Sequence, residues 1–202
     1  MKWLKRIFKG SKGETADYAI IGLGNPGRQY EGTRHNVGFM VIDELSRKLG
    51  VQLRWRQCKS KLTIVDFNGI RLLLAKPMTF MNLSGDAVKC IVHQFGLEVQ
   101  RLLIVLDDVN LPLSRIRIRS GGSHGGHKGL KSVIEALGRE DVPRLRIGIG
   151  APPPGTDLVS FVLSPFEPHE MDAIREAIER AANGAIACVT EGLEKAMSKF
   201  NS

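Results

Sequence analysis

The segment YAIIGLGNPG, residues 18–27, decides the class of fold. Its first four residues, 18–21, form an apolar run typical of a buried strand, and the glycines and proline that follow predict a loop. A helical pattern comes next, with apolar residues at Val41, Ile42, Leu45 and Leu49. A strand, a long loop and a helix in this order are the opening unit of an α/β fold.

Strand and helix patterns alternate along the rest of the chain. Two apolar runs flank Asn68-Gly69, the strongest short signal for a hairpin of antiparallel strands. From Glu167 onward the pattern is helical, with Gly184 and Gly192 as places where the helix bends or breaks. We therefore predict an α/β fold, a single domain with a twisted mixed β-sheet flanked by helices on both faces. The other predicted elements are strands at 102–106, 115–119 and 144–150 and helices at 84–95 and 130–137.

The length and composition indicate one folded domain. The chain has 202 residues, of which 43% are apolar and 25% charged, values that exclude collagen-like, coiled-coil and fully disordered proteins. No apolar run approaches the roughly 20 residues that span a bilayer, and the N-terminus lacks the apolar stretch of a secretory signal. We therefore expect a cytoplasmic protein without a membrane span. We place a basic N-terminal extension at residues 1–16 and the domain at residues 17–202.

The three cysteines are Cys58, Cys90 and Cys188, an odd number without metal-like spacing. Such a set predicts neither a disulfide framework nor a zinc site. We therefore expect reduced, mostly buried thiols.

The charge of the chain is basic and unevenly distributed. Lysines and arginines number 29 and acids 21, which gives a net charge of +8. Residues 1–13 contribute +5 and residues 167–202 contribute −3, so the central part of the chain carries the remaining +6. A basic body favours polyanionic partners such as nucleic acid, phosphorylated ligands or an anionic membrane, and the alternative is simple colloidal solubility.

The first loop, residues 22–27, matches G-x-G-x-x-G, the fingerprint of dinucleotide-binding folds. In that fingerprint a helix begins inside the loop and presents its N-terminus to pyrophosphate, but Pro26 and Gly27 disfavour an early helix here. The acid that would hold the ribose falls near Asp43 and Glu44, inside the predicted helix. The sequence therefore disfavours a nicotinamide or flavin enzyme.

His35 follows this loop and is the candidate general base. Its reference pKa near 6.5 suits a side chain that takes a proton from water at neutral pH. Asp107, at the end of a buried strand, could orient the imidazole, and Asn25 and Asn82 could hold a carbonyl or hydroxyl group. A capping or surface histidine is the alternative. No G-x-S-x-G motif is present, so activation of water is favoured over covalent catalysis.

A second glycine-rich segment, residues 120–129, lies between a predicted strand and helix. His124 and His127 within it give only a weak metal signal, because no third ligand is identifiable. Glycines before a helix instead bring backbone N–H groups close to an anion, and the segment is flanked by basic residues. Phosphate is therefore the expected ligand. The alternative is that the basic residues belong to a solvated edge strand, where their charges prevent aggregation. The basic residues are Arg115, Arg117, Arg119, Lys128 and Lys131.

Taken together and in order, the motifs closely resemble the bacterial-type peptidyl-tRNA hydrolase family. The resemblance covers residues 18–200, and the joint order and spacing make it specific. It is carried by GLGNPG at 22–27, Tyr30, TRHNVGF at 33–39, KPMTFMNLSG at 76–85, Asp107-Asp108, GGH at 125–127 and RLRIGIG at 144–150.

The resemblance implies a metal-independent esterase, without a cofactor, that splits peptidyl-tRNA into peptide and reusable tRNA. It implies that His35 activates water, that Asp107 orients His35, and that Asn25 helps to distinguish a blocked from a free amino group. We further expect a monomer that binds the tRNA acceptor arm. The residues implied to contact substrate or tRNA are Tyr30, Phe80, Met81, Asn82, Arg119 and Arg146, and we add Lys128 as a further expected contact.

Two positions depart from the family pattern. Lys128 stands where the family usually has Asn, and Asn110 where it commonly has Asp. A cation at 128 should strengthen phosphate binding but offers only donors, whereas an amide offers a donor and an acceptor. The competing hypothesis is a non-catalytic RNA-binding protein on the same fold, which the presence of His35, Asp107, Asn25 and Asn82 argues against.

Overall fold

The computed structural model describes residues 15–201. Residues 1–14 of the predicted basic extension therefore lie outside the described residues. The strands are β1 (Tyr18–Gly22), β2 (Trp55–Gln57), β3 (Ser60–Phe67), β4 (Ile70–Pro77), β5 (Leu102–Asp108), β6 (Ile116–Arg119) and β7 (Arg144–Gly148). The helices are α1 (Val37–Leu49), α2 (Ser84–Phe95), α3 (Lys128–Leu137), α4 (Leu158–Val162), α5 (Met171–Thr190) and α6 (Leu193–Phe200).

The strands form one seven-stranded sheet in the order β2-β3-β4-β1-β5-β7-β6. β1 runs parallel to β4 and β5, and β5 runs parallel to β7. The β2–β3, β3–β4 and β6–β7 pairs are antiparallel. Asn68 and Gly69 form the predicted hairpin turn, with φ of 56° and 79°. The predicted mixed sheet is therefore confirmed.

Helices cover both faces of the sheet because the side chains of a buried strand alternate between the faces. Tyr18 and Ile20 of β1 pack into a core that includes α1, α5 and α6. Ala19 and Ile21 of the same strand pack into a second core with α2 and α3. Since β4, β1 and β5 are parallel neighbours, their carboxyl ends lie side by side at one end of the strands, which is where a crevice is expected.

Glycines determine where several helices end. Gly50, Gly96 and Gly138 follow α1, α2 and α3 in the left-handed conformation that ends many helices. Gly192, at φ 93°, separates α5 from α6, so the predicted break is found here. α5 continues through Gly184, the other predicted position.

The short elements β2 and α4 were not predicted. They have three and five residues, too few for a periodic pattern to show. Among the described residues, no helix combines the length and apolar character needed to cross a membrane.

The expectation of reduced thiols is wrong for two of the three cysteines. Cys58, in the turn between β2 and β3, forms a disulfide with Cys90 of α2, and their Cα atoms lie 5.3 Å apart. Cys188 is free and buried, as expected. No local pattern indicates this pairing, because two cysteines 32 positions apart are brought together only by the packing of α2 on the sheet.

Candidate active site

A cleft of about 690 Å³ opens at the carboxyl ends of β1, β4 and β5. The loop after β1 supplies Asn25, β5 supplies Asp107, and the loop after β4 supplies Phe80, Met81 and Asn82. The topology therefore gathers most of the predicted site residues from distant parts of the chain.

Two anchored neighbours hold His35 at the cleft. Arg34 is buried, forms an ion pair with Glu170 at 2.6 Å, and lies over the rings of Phe161 and Phe166. On the other side, the Asn36 Oδ1 atom accepts from the Asn25 backbone N–H at 2.7 Å, and Asn36 Nδ2 donates to the Asn25 carbonyl at 3.0 Å. His35 thus lies in a short turn whose flanking residues cannot move freely.

Asp107 fixes the orientation of His35. The His35 Nδ1 atom lies 2.9 and 3.0 Å from the two carboxylate oxygens of Asp107, which is almost fully buried. Burial acts to raise the pKa of Asp107, but the imidazoles of His127 and His35 outweigh it and hold that pKa below its usual range. The ionised carboxylate therefore accepts the Nδ1 proton, which leaves Nε2 of His35 as the basic nitrogen.

His127 is a second histidine on the same carboxylate. Its Nε2 atom lies 2.9 Å from Asp107 Oδ1, and its ring centroid lies 5.0 Å from that of His35. As the N-cap residue of α3, His127 also accepts the Leu130 backbone N–H at its Nδ1 atom. Because Nδ1 accepts a hydrogen bond, Nε2 must carry the proton, and it donates that proton to Asp107.

These tautomers bear on whether the three residues could hold a metal. Ligand atoms of His35, Asp107 and His127 lie within 4.8 Å of one another. A protonated ring nitrogen has no lone pair for a metal, however, and the Leu130 N–H fixes the proton of His127 on the nitrogen that faces Asp107. The geometry therefore suits a hydrogen-bonded His-Asp-His cluster rather than a metal centre.

Asn25 links the first loop to the loop after β4. Its Oδ1 atom accepts the Met81 backbone N–H at 2.9 Å. Its Nδ2 group has no hydrogen-bond partner within residues 15–201 and can donate to a ligand in the cleft that Asn25 lines.

Apolar side chains line the mouth of the cleft. Phe80 and two residues of α4, Leu158 and Val159, are about half exposed, and all three line the cleft. Exposed apolar groups of this size mark a binding surface rather than a packed core. Of the predicted contact residues, Tyr30 is half-buried near the first loop but does not belong to the lining.

The predicted basic residues differ in their electrostatic surroundings. Arg119 is exposed at the cleft and has no ion-pair partner in the described part of the chain. Arg146 also lines the cleft, but Asp108 neutralises it in a close ion pair. Lys128 is exposed at the start of α3. Asn110, the other departure, donates its backbone N–H to Asp108 at 2.8 Å, which does not depend on its side chain.

Arg144 holds the glycine loop, residues 120–126, from inside the protein. It is buried, and its guanidinium donates to the backbone carbonyls of Gly122 and Ser123 at 2.5 and 3.1 Å. The same group donates to the carbonyls of Val142 and Glu140. Burial lowers the pKa of Arg144, and these carbonyl contacts replace its lost hydration.

The start of α3 approaches the cleft closely because Gly129 has no side chain. A Cβ atom at this position would lie 2.4 Å from the sulfur of Met81. This close approach brings His127, two residues earlier, within reach of Asp107.

Sequence reasoning missed the contact of His127 with Asp107 and the contacts of Arg144 beneath the glycine loop. The signal for His127 was available: a histidine after two glycines at the start of a helix is in N-cap position. Arg144 was predicted only as the first residue of a strand, and nothing local shows that an arginine is buried. The dinucleotide alternative is disfavoured as predicted, since a short 3-10 turn follows the first loop and α1 begins only at Val37.

Comparison with known proteins gives a consistent result. The family model described as Peptidyl-tRNA hydrolase matches residues 19–202. The peptidyl-tRNA hydrolase of Caldanaerobacter subterraneus subsp. tengcongensis is 50% identical over 184 residues, covering 91% of this chain and 99% of that protein. That of Carboxydothermus hydrogenoformans is 47% identical, covering 91% and 98%. The crystal structure of peptidyl-tRNA hydrolase from Acinetobacter baumannii superposes with a TM-score of 0.87 at 31% identity, covering 96% and 98%.

Proposed function

This chain belongs to the peptidyl-tRNA hydrolase family, and on that premise we propose that it hydrolyses the ester bond of peptidyl-tRNA. The products are a free peptide and a tRNA that can be used again in translation. The observation that carries the proposal is the hydrogen bond between His35 and the buried Asp107, which leaves one imidazole nitrogen basic at the floor of a large cleft.

The reaction needs no group beyond the side chains and one water molecule. His35 Nε2 takes a proton as the water oxygen attacks the ester carbonyl carbon, and Asp107 stabilises the imidazolium that forms. The tetrahedral intermediate then collapses, the bond to the ribose oxygen breaks, and the imidazolium returns its proton to that oxygen. General-base catalysis of this kind contributes about 10²- to 10⁴-fold.

Amide and apolar groups around His35 suit the peptide and the 3′ end of the tRNA. Asn25 Nδ2 and Asn82 can donate to carbonyl oxygens, and Asn25 is the residue proposed to read the blocked amino group. Phe80 offers a flat exposed face on which an unpaired base can stack. Met81 lies beside Asn25, while Tyr30 would have to contact substrate outside the cleft lining.

Contacts with the tRNA acceptor arm are proposed for the basic residues at the cleft. Arg119 is the strongest candidate because no acidic side chain in the described residues neutralises it. Lys128 extends the positive surface at the start of α3, and Arg146 contributes less because Asp108 pairs with it. Recognition through phosphates would make binding independent of tRNA sequence. We further propose that the protein acts as a monomer in the cytoplasm.

The test is hydrolysis of N-acetyl-aminoacyl-tRNA by the purified protein with a chelator present. We expect release of the N-acetyl-amino acid and little cleavage of unblocked aminoacyl-tRNA. His35→Ala should lower turnover by about 10²- to 10⁴-fold while leaving tRNA binding largely intact. His93→Ala is the matched control, because His93 is exposed on α2 and does not line the cleft.

Three outcomes would contradict parts of the proposal. Normal turnover by His35→Ala would remove His35 from the mechanism. Tight tRNA binding without cleavage would support the competing RNA-binding protein, and Lys128→Asn would then test whether the departure at this position has abolished activity. Loss of activity with chelator, restored by a divalent cation, would contradict a metal-independent reaction.

A further inference from the structure

The disulfide joins the turn between β2 and β3 to helix α2, away from the cleft lining. Cys58 is half-buried, whereas Cys90 is exposed on α2, so a dithiol in solution can reach the bond. We propose that Cys58 and Cys90 are a reversible oxidation site that controls the substrate loop, which we define as residues 78–83 between β4 and α2. The kinetic part of this inference rests on the proposed function.

The turn at Cys58 is attached to both ends of the substrate loop. Lys59, the next residue, accepts the Met78 backbone N–H at its carbonyl at 2.7 Å. The Lys59 ammonium group pairs with Asp86, in the first turn of α2, at 3.0 Å, and Cys90 lies one turn further along. The disulfide is the covalent contact among these. The Lys59–Asp86 ion pair is exposed to solvent and therefore adds little to the stability of the attachment.

The turn itself is held in a conformation that its residues disfavour. Cys58 and Lys59 both have φ of 52°, in the left-handed region that asparagine and glycine adopt more readily. The adjoining strand β2 has three residues and lies at the edge of the sheet, so it gives the turn little support. Once the disulfide is broken, we expect the turn to relax and its hydrogen bond to Met78 to weaken.

The substrate loop leads directly to the chemistry. The Met81 backbone N–H donates to Asn25 Oδ1, and Phe80 and Asn82 line the cleft. A loop that loses its anchor at Met78 must be ordered again when substrate binds. Fixing the backbone of about one residue costs conformational entropy when substrate binds, and this cost lowers kcat/KM roughly fivefold. The oxidised protein should therefore be the more active form.

The chemistry of the switch is ordinary thiol–disulfide exchange. One thiolate of a dithiol attacks a sulfur of the Cys58–Cys90 bond and forms a mixed disulfide with that cysteine, which releases the other cysteine. The second thiolate of the dithiol then attacks the dithiol's own sulfur in the mixed disulfide and releases the first cysteine. The S–S bond of the protein breaks, two protein thiols form, and the dithiol becomes a disulfide, so two electrons and two protons are transferred. Disulfides in a reducing compartment are usually transient or redox-sensing, which fits a protein proposed to be cytoplasmic.

The first experiment compares kcat and KM for N-acetyl-aminoacyl-tRNA before and after treatment with dithiothreitol. We expect kcat/KM to fall about fivefold on reduction, mainly through KM, because ordering of the loop precedes chemistry. Cys58→Ser/Cys90→Ser should match the reduced protein and ignore the reductant. Cys188→Ser is the matched control, since Cys188 is free and buried, and it should respond as the unsubstituted protein does.

Two results would overturn the proposal. Equal kinetics of the oxidised and reduced protein would show that the bond does not control the loop. A response to dithiothreitol in Cys58→Ser/Cys90→Ser would place the effect elsewhere.

A second measurement does not depend on hydrolysis. Hydrogen exchange should show faster exchange of the Met78 amide and of its neighbours in the substrate loop after reduction, with no change in β5. Maleimide labelling of the denatured protein should find one free thiol before reduction and three after it. Unchanged exchange in the loop, or three thiols in the air-oxidised protein, would overturn the oxidation site even if the protein proved inactive on peptidyl-tRNA.

Discussion

At the scale of single residues, the carboxylate of Asp107 accepts hydrogen bonds from two imidazoles, His35 earlier in the chain and His127 later in it. His35 donates from Nδ1 and His127 donates from Nε2, and the different donor atoms give the two histidines different tautomers. Of these two histidines, His35 is the one whose basic nitrogen has no hydrogen-bond partner among residues 15–201. We therefore propose that His35 transfers the proton and that His127 positions Asp107.

Two substitutions of His127 should distinguish the effect of its N-cap hydrogen bond to Leu130 from the effect of its hydrogen bond to Asp107. His127→Ala removes both, whereas His127→Asn keeps a capping oxygen for the Leu130 N–H but is too short to reach Asp107. We expect both variants to lose about tenfold to a hundredfold in kcat, the effect of one hydrogen bond to a charged group. Both variants should also lose stability because Asp107 loses a donor, and His127→Ala should lose about 1 kcal/mol more unfolding free energy than His127→Asn because it also lacks the cap.

Steady-state kinetics and urea unfolding of the two variants are the measurements for this prediction. Unchanged kcat in His127→Asn would show that the contact with Asp107 does not serve the reaction.

At the scale of elements, the glycine loop depends on one strand residue beneath it. Arg144→Lys replaces a planar group that reaches four carbonyls with a single ammonium, so some carbonyls of Gly122, Ser123, Val142 or Glu140 lose their donor. We expect unfolding free energy to fall by about 1–3 kcal/mol, measured by urea denaturation. Arg139→Lys is the control, because Arg139 is exposed and should change stability by less than about 0.5 kcal/mol. Equal effects of the two variants would contradict this role of Arg144.

Helix α5 carries a group that should make stability depend on alkaline pH. Burial raises the pKa of the Cys188 thiol from its ordinary value of 9.0 to about 12. Between these values the thiol ionises in the unfolded chain but not in the folded protein, so the stabilising contribution present below pH 9.0 is lost as pH rises. Unfolding free energy should therefore fall less steeply in Cys188→Ala than in the unsubstituted protein.

Urea unfolding over this pH range measures the difference. Burial likewise raises the pKa of Tyr18, and Cys188 raises it further, so both proteins are compared in a Tyr18→Phe background that removes this second titration. Parallel pH profiles for the two proteins would contradict the assignment to Cys188.

At the scale of the whole molecule, the two edges of the sheet should differ in their affinity for tRNA. β6 forms one edge and carries Arg119 beside the cleft, whereas β2 forms the other and carries Arg56, which is exposed. Arg119→Ala should weaken tRNA binding and reduce the slope of log K against log salt by about 0.7–0.9, the loss of one phosphate contact. Arg56→Ala should leave the slope unchanged, and a slope unchanged in Arg119→Ala would show that the β6 edge does not meet phosphate.

The sequence by itself determined the class of fold, and most of the site residues predicted from it line the cleft. Hydrophobic period is a local property, so the helices at 84–95 and 130–137 and the hairpin at Asn68-Gly69 could be predicted from neighbouring residues alone. His35 and Asp107 could be proposed as partners because each follows the carboxyl end of a predicted buried strand, and those ends were expected to lie close together.

Only the tertiary structure decided which side chains meet. His35 and His127 lie 72 and 20 residues from Asp107, and strand order and the close approach of α3 at Gly129 bring both to the same carboxylate. The same packing pairs Arg146 with Asp108 and Cys58 with Cys90, and it buries Arg144 beneath the glycine loop. Such contacts depend on register and distance between elements, which no local pattern contains.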